Sequence, residues 1–142
     1  MPVALKRAYE KPAASDGYRV LVERLWPRGL SKSAVRIEEW LKDLAPSDAL
    51  RKWFHQNPAH FDRFRKKYLD ELSAPEAAQA LDRLYALLRS GKPLTLVFAS
   101  RDPEHNSAVV LKELLEGLRK PPSNTGPVRT SAGRPRARMQ NR

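Results

Sequence analysis

Two apolar runs set the frame for this chain. LTLVFAS at residues 94–100 is the clearest strand, and YRVLVERLW at residues 18–26 is rich in β-branched and aromatic side chains, unbroken in apolar character from Val20 to Val22. A strand without polar alternation suits the interior of a sheet covered on both faces, as parallel sheets are. With helical periodicity filling the space between the two runs, the expectation is an α/β domain: a small parallel sheet with flanking helices.

The remaining elements follow from periodicity and punctuation. VALKRAY at residues 3–9 predicts a short strand, and EKPAASDG a turn after it. Beyond Gly29, Ser33 can cap a helix carrying Val35, Ile37, Trp40 and Leu41, with Glu38 and Glu39 near its start. Ser47 can cap a second helix through Leu50, Trp53 and Phe54, and Asn57-Pro58 opens a third whose Phe61, Phe64, Tyr68 and Leu72 share one face. Ser73 and Glu76 have capping-box spacing for a fourth, with Leu81, Leu84, Tyr85 and Leu88 inward and Gly91 as its stop. These stripes read as core. Asp102 before Pro103 signals a last helix bearing Val109, Leu111, Leu114, Leu115 and Leu118.

Charge narrows the field less than its size suggests. The net charge is +11, but six of the 27 basic residues and no acidic one lie from Lys120 onward, leaving 21 basic against 16 acidic, or +5, for residues 1–119. That last stretch is rich in Pro, Gly, Ser and Thr and nearly devoid of apolar side chains, so it cannot offset the entropy of ordering. The division expected is a single domain over 1–119 and a disordered basic tail over 120–142. The tail could touch nucleic acid or could be a solvated terminus. There is no cysteine, which excludes disulfides and thiol chemistry. No run of about 18 apolar residues could span a bilayer, and the N-terminus lacks a secretory apolar core, so the expected setting is cytoplasmic, away from membranes.

Ligands of open parallel sheets sit beyond the carboxyl ends of strands. Two such ends carry unusual polar content: Glu23, Arg24, Arg28 and Gly29 after the second strand, and Ser100, Arg101, Asp102, His105 and Asn106 after the last. Were the two strands neighbours, these clusters would converge on an anion pocket. Arg24 and Arg28 would be its clamps, since guanidinium forks bind phosphate or carboxylate at two points. Gly29 and Arg101 join them, with free amides of the last helix start contributing. His105, expected in the first turn of that helix, is the candidate acid or base. Asp102 is the expected helix cap, and Asn106 a supporting group. The bland alternatives stay open: Glu23 and Arg24 as a buried structural pair, and Trp26 as a cover for the core edge. His55 and His60 lack ligand-like partners, and no metal-binding spacing, P-loop or G-x-G-x-x-G occurs, so no metal or cofactor is expected.

RLWPRGLSK, WLKDLAPSDALRKWF, FDRFRKKYLDEL and TLVFASRDPEHNSAVVL, in that order, resemble the YeaO-like branch of the bacterial family known as domain of unknown function 488. The likeness covers residues 3–118. It implies a small cytoplasmic α/β protein and no particular activity. Longer relatives carry a segment resembling LLCAERDPEHCHR, with two cysteines. Phe98 and Asn106 stand at those positions here, whereas Arg101 through His105 match. Any thiol chemistry of those relatives is therefore absent.

Two functions compete on this basis. One is a site for a phosphate- or carboxylate-bearing small molecule or nucleotide, catalytic or not. The other is a nucleic-acid-binding module that uses the basic body and tail, with Trp26 as a stacking face. The FDRFRKKYLDEL helix interleaves acidic with basic residues and reads as a solvated face.

Overall fold

A computed structural model describes residues 3–117. Two compact units are separable, one ending at Lys112 and the other beginning at Glu113. The sheet and the helices that precede residue 107 belong to the first. The expected tail, 120–142, and Leu118 lie outside the described residues.

Four strands, β1 (Val3–Arg7), β2 (Tyr18–Leu21), β3 (Glu39–Trp40) and β4 (Leu94–Phe98), form one sheet in the order β1-β4-β2-β3. Every pairing is parallel. All five residues of β4 are buried, and since successive side chains point to opposite faces, both faces of the sheet are covered there. Thr95 is the polar member of that run, and its hydroxyl donates to the Asp16 carbonyl at 2.7 Å. Gly17 enters β2 with φ 68°, and a Cβ there would lie 2.4 Å from the Pro93 carbonyl oxygen. That close approach lets the Tyr18 N–H reach the same oxygen at 2.9 Å.

The helices are α1 (Lys32–Val35), α2 (Asp48–Gln56), α3 (Phe61–Glu71), α4 (Pro75–Arg89) and α5 (Ser107–Gly117). Their stripes pack as the periodicity indicates: Phe64, Tyr68, Leu72 and Leu84 are buried. Phe54, Phe64 and Tyr68 stack in series, with centroids 4.5 and 5.7 Å apart. The Tyr68 hydroxyl at the end of the series donates to the Leu44 carbonyl. Ser47 caps α2 by accepting the Leu50 N–H at 3.1 Å.

The helix expected through Leu41 is the main departure. It closes after one turn, capped by Ser31 rather than Ser33, because Arg36 turns left-handed at φ 53°. The cause lies in β2. The Arg19 guanidinium, 3% exposed, donates to the Val35 carbonyl through Nη2 at 2.7 Å and to the Arg36 carbonyl through Nε at 3.2 Å. Its Nη1 is held by Asp16 at 2.7 Å, and Asp16 in turn accepts from Lys6 and the Ala13 N–H. The chain leaves α1 extended, and Glu39–Trp40 joins the sheet instead. This two-residue strand is pinned by Arg83 of α4, whose Nε and Nη2 each meet the Glu39 carboxylate at 2.8 Å.

Three boundaries also differ from expectation. Strand β2 ends at Leu21, short of Trp26. Helix α3 starts at Phe61, because the Pro58 segment turns back with the His60 N–H on the Asn57 carbonyl. Ser73 gives its hydroxyl to the Asp70 carbonyl, and Ala74 stands at the cap of α4, where Pro75 needs no donor for its missing N–H.

Candidate functional site

Strands β2 and β4 are neighbours, so their carboxyl ends meet as the sequence argument requires. An open cleft of about 880 Å³ lies there. From the segment after β2 it takes Glu23, from the segment after β4 it takes Arg101, Asp102, His105 and Asn106, and from α2 it takes Arg51, Lys52 and His55. Phe54 and Phe64 form its apolar wall.

Helix α2 brings its basic residues into the cleft because 51, 52 and 55 fall on neighbouring positions of one helical face. Arg51 meets Asp48 one turn earlier at 3.0 Å, with both side chains more than half exposed. So exposed a pair holds Arg51 weakly and leaves it available to a ligand.

Asp102 organises the loop after β4. Its Oδ1 accepts the N–H groups of Glu104 and His105 at 2.9 and 3.2 Å, and its Oδ2 lies 2.9 Å from His105 Nδ1. The Glu104 amide and the His105 ring hold its carboxyl below the ordinary value. An ionised carboxylate only accepts, so Nδ1 carries the proton, and Nε2 has no hydrogen-bond partner among the described residues. The His105 ring stands edge-on to Phe61 at 5.2 Å. Helix α5 starts later than Asp102-Pro103 suggests. Asn106 caps it by accepting the Val109 N–H at 3.0 Å, while its own amide donates to the Asp102 carbonyl at 2.8 Å. His105 therefore precedes the helix, and the amides at residues 104, 105 and 109 already have partners within the protein.

Glu23 reaches across to the residue that follows β4, where Oε2 accepts the Ala99 N–H at 2.9 Å. Burial pushes its carboxyl above the ordinary value, with the Ala99 amide and nearby Arg51 offsetting part of the effect.

Four residues expected at the site lie elsewhere. Arg24 lines a second hollow with Asp43, Glu71 and Glu76, and its Nη2 points to the Ala45 and Pro46 carbonyls at 3.4 Å. It neither pairs with Glu23 nor shares its cleft: the chain bends at Arg24, just past the end of β2. Arg28 is exposed on the following turn, where its carbonyl accepts from the Tyr9 hydroxyl at 2.9 Å. Gly29 has φ 80° and supplies the left-handed third position of that turn, which the Leu30 N–H closes onto the Pro27 carbonyl. Trp26 covers the core edge. Its indole donates to the Leu30 carbonyl at 2.7 Å, and its ring meets Trp40 edge-to-face at 5.4 Å.

The family model described as the inactive DUF488-N3 subclade matches residues 2–128. The chain belongs to this family. Within the DUF488 group, its YeaO-like character is equally plain: the uncharacterized protein YeaO of Escherichia coli (strain K12) is 41% identical over 118 residues, which span 83% of this chain and all of that protein. The uncharacterized protein Rv3073c of Mycobacterium tuberculosis is 40% identical over 116 residues, 81% of this chain and 94% of the relative. No solved structure matches the chain. In this DUF488 member, Phe98 and Asn106, which stand where longer relatives are expected to carry cysteine, are both buried. Among the described residues no cluster of three His, Asp or Glu side chains could hold a metal, and no helix is long and apolar enough to cross a membrane.

Proposed function

We propose that the cleft at the carboxyl ends of β2 and β4 binds a small anionic molecule, phosphate- or carboxylate-bearing, without chemically transforming it. The observation that carries this reading is the convergence of Arg51, Lys52 and Arg101 with His55 and His105 around one cleft backed by Phe54 and Phe64. Guanidinium and ammonium groups from two separate elements, facing one space, are the arrangement that neutralises a bound anion. The Asp102–His105 pair resembles a held acid or base. However, the family's description as inactive and the lack of any cysteine favour a binding role, in which His105 is a hydrogen-bonding group.

Isothermal titration of the full chain with pyrophosphate and with citrate tests this reading. Saturable binding that weakens in Arg101→Ala supports it, and no saturable heat from either probe removes it. A nucleic-acid role has the +11 charge behind it. Truncation after Arg119 tests that alternative: binding to single-stranded RNA that persists without the tail and falls steeply with salt would favour the body as its reader.

A further inference from the structure

Cations explain one end of a ligand, but two features of the cleft are left over. Phe54 and Phe64 give it an apolar, aromatic wall. Glu23 puts a carboxylate into it, with Oε2 on the Ala99 N–H and Oε1 without a hydrogen-bond partner among the described residues. A carboxylate repels a simple anion and can only accept hydrogen bonds. Its presence beside three cations and two aromatic rings calls for a ligand with two unlike ends. One end must be anionic; the other must be flat and must present N–H donors at its edge. About 880 Å³ is room for a molecule of nucleotide size. Among the bases, guanine carries its ring N1–H and its 2-amino group side by side, whereas adenine sets an amino group beside an acceptor nitrogen. A carboxylate can pair twice with the first edge and only once with the second.

We propose that the cleft binds a guanine nucleotide, with Glu23 accepting from the N–H edge of the base, Phe54 and Phe64 walling the ring, and Arg51, Lys52 and Arg101 holding the phosphates. The proposal rests on the anion-binding reading and gives its ligand a class. Glu23 is the specificity-determining residue, and it discriminates because an unpaired acceptor facing the wrong base edge costs binding.

Titration of the full chain with guanosine diphosphate, inosine diphosphate, adenosine diphosphate and pyrophosphate tests it. The expected order is guanosine diphosphate tightest, by about tenfold or more over adenosine diphosphate and pyrophosphate, with inosine diphosphate, which lacks the 2-amino group, between. Glu23→Gln keeps an acceptor for the Ala99 N–H and should erase the guanine advantage, while pyrophosphate, which the carboxylate repels, should bind at least as tightly as to wild type. Equal affinity for the guanine and adenine nucleotides, or pyrophosphate binding as tightly as either, overturns the guanine assignment and leaves the anion site standing. Failure of all four to bind overturns both. Should Glu23→Gln not fold, the wild-type order among the three nucleotides decides alone.

Discussion

Glu23 and Arg24 are chain neighbours that face different hollows, Glu23 toward the cleft between α2 and the loop after β4, and Arg24 toward the carbonyls of Ala45 and Pro46. A site built on both is therefore split where the chain bends at Arg24, beyond the end of β2.

Binding should divide along the same line. Arg101→Ala and the double variant Arg51→Ala/Lys52→Ala are expected to weaken pyrophosphate binding by about tenfold, the worth of a charge-assisted contact. Arg24→Ala and Arg28→Ala, outside the cleft, are expected to stay within about twofold of wild type. Calorimetric dissociation constants for the four variants and wild type check this, and a large loss in Arg28→Ala would relocate the site.

The sequence made the convergence of two strand ends legible, and Glu23, Arg101, Asp102, His105 and Asn106 do line one cleft. It did not make α2 legible as the third wall. Arg51, Lys52 and His55 share a helical face, but which way that face points depends on the sheet order, which is non-local. The same limit explains β3. Local periodicity favours a helix through Trp40, while the grip of Arg19 on the Val35 and Arg36 carbonyls is a contact across 16 and 17 residues.

That grip gives a stability prediction. Burial alone would raise the Asp16 carboxyl, but the Ala13 amide, Lys6 and Arg19 more than offset it and hold the group below its ordinary value. Arg19→Leu leaves Asp16 without one of its buried partners and is expected to cost about 3 kcal/mol in urea unfolding. A folded value below the unfolded one means that this stability is present above the ordinary carboxylate range and is lost as pH falls through the depressed value. Wild type and Asp16→Asn should therefore converge in stability in strong acid and diverge above the carboxylate range.

Glu23 carries the opposite sign. Its folded value is raised, so the native state keeps the proton to higher pH than the unfolded chain, and stability falls as pH rises from the unfolded value through the folded one. Glu23→Gln should melt higher than wild type at pH 7, with the difference shrinking as pH drops below the ordinary carboxylate range. A difference independent of pH would show that ionisation is not its cause.

Gly29 at φ 80° has open space where a Cβ would go. The cost of Gly29→Ala is then purely conformational, about 1 kcal/mol, and pyrophosphate affinity should be unaltered. Thermal melts and titration on the same sample separate the two effects.

The loop from Trp26 to Leu30 folds its indole over the edge of the sheet and closes on itself, while Glu23, just before it, lines the cleft. RLWPRGL is thus a hallmark of construction. Proteins gathered by that string would share a way of finishing a parallel sheet, whatever side chains line the cleft beside it.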